Sequence, residues 1–293
     1  MELHRHIINS NSRTIKLRPF GDLQLGEPGF RSDLWDRFKK ELTDDKDAYA
    51  IGLGDYSNSF RPTIQRELEK AFIKDNQAHK EFDTIMSRSI VDLAEELKPF
   101  KDRIIGLCEG HHFHKYLDGT TTTQHLCQLL QVKYLGFVAM IQLITRRCGT
   151  DARTINIYAT HGCGGARHSH SDLGKLEREI MPFFDADVYL RGHSTKVYVV
   201  PGHPLSRLSS NHGEPLRLVQ KQRWLVNTGG FMQGYVQGHT SYVEQTNLPP
   251  CALGWGIVTL HFAHQHIEIS ASVETPPETD LTQLKPHKRK RHK

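Results

Sequence analysis

The stretch Ala48-Tyr49-Ala50-Ile51-Gly52-Leu53-Gly54-Asp55 decides the fold. A short apolar run that stops at a glycine reads as a buried strand. The aspartate behind it stands at the strand's carboxyl end. The same grammar recurs along the chain. Ile15 to Phe20 runs into Gly21-Asp22, and Arg103 to Cys108 leads to Glu109-Gly110-His111-His112. Thr154 to Thr160 runs into His161-Gly162, and Val188 to Arg191 into Gly192-His193. In open α/β sheets ligands sit at the carboxyl ends of strands. Each of these polar residues is therefore a candidate ligand.

Helical periodicity fills the gaps. Phe30 to Leu42 places Leu34, Phe38 and Leu42 four residues apart. A longer pattern spans Pro62 to Leu97, with Pro62 suited to a first turn and Pro99 marking the stop. A gap near Asp75-Asn76-Gln77 is a point where it can split in two. Thr123 to Leu130 and Asp172 to Phe183 read as further helices. The second half is richer in strands: Phe137 to Thr145, Lys196 to Val200, Leu216 to Val226, Trp255 to Phe262 and Ile267 to Val273. Strand–helix alternation followed by strand pairs indicates an α/β layered fold with mixed sheets. One domain is expected over residues 1–275, with a linker and basic tail over 276–293.

Composition removes several classes. The chain has 293 residues, 37% hydrophobic, and a mean hydropathy of −0.52. No apolar run approaches the roughly 18 residues of a membrane helix, and no apolar stretch behind Met1 makes a signal peptide. The 5 cysteines are odd in number and form no Cys-x-x-Cys pair. That argues against a disulfide scaffold and a cysteine–zinc site, and fits a reducing, cytoplasmic compartment (a host's cytoplasm for a viral protein). The net charge of +5 is local. Lys285, Lys288, Arg289, Lys290, Arg291 and Lys293 carry +6; subtracting them leaves −1 for residues 1–284. Such a tail attracts phosphate backbones or simply aids solubility.

Asp22, Asp55, the His111-His112 pair, His161 and His193 all follow expected strands. Carboxylates combined with imidazoles suit Mn, Fe, Zn or Ni. A carboxylate between two metals about 3.5–4 Å apart can bridge them in a hydrolytic centre. On these residues the sequence resembles the calcineurin-like metallophosphoesterase family. The family's pattern is Asp-x-His, Gly-Asp-x-x-Asp/Asn, Gly-Asn-His-Asp/Glu, a lone His after a strand, and Gly-His-x-His. The corresponding stretches here are Gly21-Asp22-Leu23-Gln24, Gly54-Asp55-Tyr56-Ser57-Asn58, Gly110-His111-His112-Phe113, His161-Gly162 and Gly192-His193-Ser194-Thr195. Asn227-Thr228-Gly229-Gly230-Phe231 looks like the family's strand–turn element near the site. The resemblance spans residues 15–273, and parts of it look like phosphoesterases of bacteria and their viruses.

The resemblance implies a four-layer α/β/β/α sandwich with mixed sheets. It also implies roles. Asp55 bridges two metals, Asp22 binds the first, and His161 and His193 bind the second. His112 acts on the substrate phosphate; were the loop to slide by one residue, His111 would take that role, but Gly110 then loses its match. Three positions depart from the pattern. Gln24 and Thr195 replace imidazole ligands of the first metal, and His111 replaces the amide ligand of the second. Neutral oxygen is a poorer partner for a transition metal than imidazole. The expectation is an asymmetric centre: one tight site at Asp55, His111, His161 and His193, and a weak, Mg-like or empty site at Asp22, Asp55 and Gln24. The cofactor is then a divalent ion among Mn, Fe, Ni, Zn and Mg.

Candidate substrate contacts are Asn58, Arg167 and His168, with bland alternatives of a turn cap, a solvated charge and a surface imidazole. Arg191 reads as a phosphate contact or a structural pair. His114, His125, His261 and His266 read as surface or hydrogen-bonded positions. The expected function is hydrolysis of a phosphate ester by metal-activated water. A phosphodiester in a nucleotide or nucleic acid is preferred because of the tail and the viral and bacterial likeness. The rival is a degenerate member that binds a metal, nucleotide or protein without turnover, motivated by Gln24 and Thr195. No membrane partner is expected, and the sequence leaves the oligomeric state open.

Overall fold

The computed structural model describes residues 1–57, 67, 76–146, 152–164, 169–194, 196–209, 215–238, 240–263 and 266–277. Two mixed sheets and a few helices make up this part of the chain. The strands are β1 (Glu2–Asn9), β2 (Thr14–Phe20), β3 (Ala48–Gly52), β4 (Ile104–Leu107), β5 (Val138–Arg146), β6 (Arg153–Thr160), β7 (Val188–Arg191), β8 (Val197–Ser209), β9 (Arg217–Thr228), β10 (Trp255–Phe262) and β11 (Ile267–Glu274). The helices are α1 (Ser32–Asp44), α2 (Asn76–Leu97), α3 (Thr122–Leu130), α4 (Ser169–Lys175) and α5 (Tyr242–Gln245). The first half of the expected 62–97 helix lies outside the described residues.

The five-stranded sheet runs β11-β10-β2-β3-β4, and the six-stranded sheet runs β1-β5-β6-β7-β9-β8. In the first, β2, β3 and β4 are parallel while β10 and β11 are antiparallel. In the second, β6, β7 and β9 are parallel while β5/β6 and β8/β9 are antiparallel. The expected α/β fold with mixed sheets is the observed one.

Strand periodicity explains the cores. Alternate side chains of a strand point to opposite faces. Ile15, Leu17, Ile51 and Leu53 from the smaller sheet share one buried cluster with Ile141, Leu143, Ile155 and Ile157 from the larger. The intervening Ala48 and Ala50 join Trp35, Phe38, Leu93 and Leu126 of α1, α2 and α3 in a second cluster. Tyr158, Tyr189 and Leu225 gather Leu173 and Leu176 in a third. Strands buried on both faces are rich in apolar residues, which is why β3 and most of β7 are legible in the sequence.

Two elements differ from expectation. β1 is a strand over a stretch that carries His4, Arg5 and His6, and it pairs in parallel with β5. Its side chains alternate between half-buried and exposed, so it lacks the apolar run that marks a central strand. β8 continues past Val200 through Pro201 and Pro204. It lies at the sheet edge and shifts register between Gly202 and Leu205. Proline is tolerated at such edges and bulges.

Candidate metal centre

Five strand ends converge. Asp22 and Asp55 follow β2 and β3, His111 follows β4, and His161 and His193 follow β6 and β7. The first three come from one sheet and the last two from the other. Asp22, Gln24, Asp55 and His193 all adopt positive φ, between 49° and 64°. That conformation is uncommon for residues with a side chain and clusters at functional sites. It turns each chain segment sharply at the strand end.

The three imidazoles pack edge to face. Ring centroids lie 4.8 Å apart for His111–His161, 4.8 Å for His111–His193 and 5.1 Å for His161–His193. His193 Nδ1 is 3.2 Å from His111 Nδ1 and 3.3 Å from His161 Nε2. His161 Nε2 is also 3.3 Å from Asp55 Oδ2. Ligand atoms of Asp22, Asp55 and His161 all lie within 4.8 Å of one another, as do those of His111, His161 and His193.

Backbone groups fix this arrangement. His161 Nδ1–H donates to the Leu53 carbonyl at 2.6 Å, which turns Nε2 toward Asp55. The His112 N–H donates to Asp55 Oδ1 at 2.8 Å. His111 supplies a ring to the cluster, and His112 holds Asp55 through its backbone. Gly54 and Gly110 are demanded by space. A Cβ at Gly54 would meet His161 Nδ1 at 2.7 Å, and one at Gly110 would meet Asp55 Oδ1 at 2.1 Å.

The electrostatics call for a cation. Burial pushes the Asp22 carboxyl up to about 7, and its Oδ2 has no hydrogen-bond partner among the described residues. Burial opposes ionisation of Asp55 too, yet His161 and the His112 N–H hold it well below the usual carboxylate range. Burial alone would lower His161, but Asp55 and Asp22 lift it to about 9. Burial and the neighbouring imidazoles push His193 down to about 3 and lower His111. The two acids thus demand positive charge while two of the three rings refuse a proton. A divalent ion meets both conditions. Donor atoms around a tetrahedral ion at about 2.05 Å stand about 3.3 Å apart, close to the 3.2 and 3.3 Å separations among these nitrogens and Asp55. The residues present fit a metal.

Gln24 is buried beside this centre, with its backbone N–H on the Asp55 carbonyl at 3.1 Å. Thr195, Asn58, Arg167 and His168 lie outside the described residues. Arg191 is the structural alternative, not a phosphate contact. It is buried, paired with Asp172 at 3.1 Å, and donates to the carbonyls of Asp172 and Cys163 at 2.7 and 2.9 Å. It thereby ties the loop after His161 to α4.

Three further residues support the centre. Glu109 is fully buried and accepts from Thr121 Oγ1 at 2.5 Å and Tyr134 OH at 3.1 Å, anchoring the residue before Gly110. The same Thr121 caps α3 in a reciprocal box with Gln124. Asn227 is buried and donates to the carbonyls of Ser194 and Lys196, fixing the turn beyond His193. Phe231 donates its N–H to the Asp22 carbonyl at 3.3 Å and packs edge-on against Trp35 at 5.4 Å. The only advance signal was the Asn227–Phe231 stretch already noted.

No protein-family model matches this sequence, and no curated protein does. Among solved structures, Vacuolar Protein Sorting 29 from Cryptosporidium parvum is similar over 90% of this chain and 99% of that one. The identity is 13% and the TM-score 0.38. No helix among the described residues is long and apolar enough to cross a membrane.

Proposed function

We propose that this chain is a metal-dependent phosphoesterase of the calcineurin-like type, acting on a phosphodiester in a nucleotide or nucleic acid. The observation that carries the reading is that His161 belongs to two groups of close ligand atoms, one with the buried Asp22 and Asp55 and one with His111 and His193. Three buried clusters, one shared by the two sheets and one on the outer side of each, support a helix–sheet–sheet–helix order.

Asp55, His111, His161 and His193 would hold the tighter ion, and Asp22, Asp55 and Gln24 the weaker one. A bound divalent ion supplies Lewis acidity toward phosphoryl oxygens and makes water more acidic. The chain's own groups do the rest. The Leu53 carbonyl fixes the His161 tautomer, so that Nε2 presents its lone pair inward. The His112 N–H orients Asp55. The His112 side chain follows the cluster in sequence and is the group assigned to protonate the leaving oxygen or offset charge on phosphate. Mn and Mg are the ions to try first, and the tail over 285–293 is the segment assigned to nucleic acid.

The non-catalytic reading draws on Gln24, which puts a neutral amide where the family supplies imidazole. Metal analysis paired with hydrolysis of bis(p-nitrophenyl) phosphate separates the two. Turnover in Mn that Asp55→Ala abolishes supports the enzyme. Absence of turnover in Mn, Mg, Ni and Zn, with wild type equal to Asp55→Ala, overturns it. Two transition metals per chain at full occupancy would overturn the asymmetric centre.

A further inference from the structure

A second group of metal-ligating side chains lies apart from the strand ends. His79 and Asp83 stand four residues apart on α2, and so share one helix face. His114 approaches them from the segment that follows His111 and His112. Asp83 Oδ1 is 2.6 Å from His114 Nε2 and 3.4 Å from His79 Nε2. Candidate donor atoms of the three residues all lie within 4.8 Å of one another. The side chains are largely shielded, at 13% exposure for His79, 19% for Asp83 and 5% for His114.

Hydrogen bonding alone is one way to satisfy this group. His114 donates to Asp83, while the Lys115 carbonyl lies 3.2 Å from His79 Nε2. The shape of the cluster suits an ion as well. Two imidazole nitrogens turn their Nε2 atoms to the same carboxylate oxygen, and a carbonyl oxygen stands beside them. The spacings of 3.4 Å to Asp83 and 3.2 Å to the Lys115 carbonyl match the roughly 3.3 Å edge of a tetrahedral N/O site. The His114–Asp83 edge is short, and widening it by about 0.7 Å is a side-chain adjustment. The surroundings hold the donors in place. Asp83 Oδ2 accepts the Leu117 N–H at 3.1 Å, the Tyr116 ring packs edge-on to His114 at 5.3 Å, and the His114 N–H donates to Thr122 Oγ1 while its carbonyl accepts the Thr122 N–H. Ligands that are themselves oriented in this way are the usual mark of a metal site.

We propose that His79, Asp83 and His114 form a structural site for a zinc-class divalent ion, one that clips α2 to the segment carrying His111 and His112. Two imidazoles and one carboxylate are the donor set of such an ion, with the Lys115 carbonyl or water in the remaining position. The site is independent of the candidate centre and of any catalytic reading.

The test uses the full chain and zinc alone. Zinc stoichiometry after dialysis is compared for wild type, His79→Gln, Asp83→Asn and Asp55→Ala. The site predicts that each α2 variant loses one equivalent that Asp55→Ala keeps, and that its zinc affinity there falls by at least tenfold. Cobalt substitution should give one component of tetrahedral absorption that survives Asp55→Ala and is lost in His79→Gln. Should a variant misfold, anomalous scattering at the zinc edge from wild-type crystals decides. A peak between His79 and His114 supports the site. No peak at saturating zinc, or unchanged stoichiometry in folded His79→Gln, overturns it and leaves a hydrogen-bonded His–Asp–His group.

Discussion

Gly110→Ala probes how tightly the centre is built. The added Cβ would lie 2.1 Å from Asp55 Oδ1 and 2.2 Å from the Asp55 backbone nitrogen. An ordinary carbon contact needs about 3.5 Å, so either Asp55 or the 110–112 loop must move by over an ångström. The carboxylate cannot swing away freely, because the His112 N–H and His161 both hold it. Nor can the loop, because Glu109 is anchored to Thr121 and Tyr134. Overpacking of this kind costs about 1–3 kcal/mol. At roughly 2–4 °C per kcal/mol for a chain of this size class, the melting temperature should fall by about 2–12 °C. Manganese affinity, measured by isothermal titration, should fall with it, since Asp55 is displaced from the imidazoles. Gly174→Ala is the control. It lies in α4, a Cβ there meets nothing within 4 Å, and alanine is the better helix former by up to about 1 kcal/mol. Wild-type melting and wild-type manganese affinity in Gly110→Ala would refute the packing argument.

Asp55→Asn should weaken manganese binding by more than about tenfold while largely keeping the fold, measured by titration alongside circular dichroism. In chelator, His161 holds its proton to about 9, so the stability it confers is full below its ordinary value near 6.5 and is lost as pH rises through 9. That shift is worth at most about 3 kcal/mol. Urea midpoints between pH 6 and 10 should fall for wild type and stay flatter for His161→Gln; identical slopes would argue against the Asp55–His161 pairing. Arg191→Met leaves Asp172 buried without its partner and should cost about 3–5 kcal/mol, read as a shift in the denaturation midpoint. A cost below about 1 kcal/mol would show that the Arg191 bonds are dispensable.

The sequence made the central strands legible because burial on both faces favours apolar residues, and a Gly-Asp or Gly-His at the end stands out. Those same positions gave Asp22, Asp55, His111, His161 and His193. What stayed hidden is of a different kind. The His161 tautomer depends on a carbonyl, and the aim of Asp55 on an amide, and neither leaves a trace in residue identity. The anchoring role of Glu109 was not legible because its partners, Thr121 and Tyr134, come from later in the chain. His114 read as an ordinary hydrogen-bonded histidine, although the four-residue spacing of His79 and Asp83 was available as a signal. β1 was missed because a half-exposed edge strand tolerates His and Arg.

The strand order of the smaller sheet sets a timetable. β2 sits between β3 and β10, and its register partner for Leu17 is Val258, about 240 residues later. A ribosome adding roughly 5–20 residues per second needs about 12–50 s to deliver that partner. Throughout this interval one edge of the strand that leads to Asp22 has no neighbour, and such edges invite pairing with other chains. That edge of the sheet carrying Asp22, Asp55 and His111 is covered only when β10 pairs with β2.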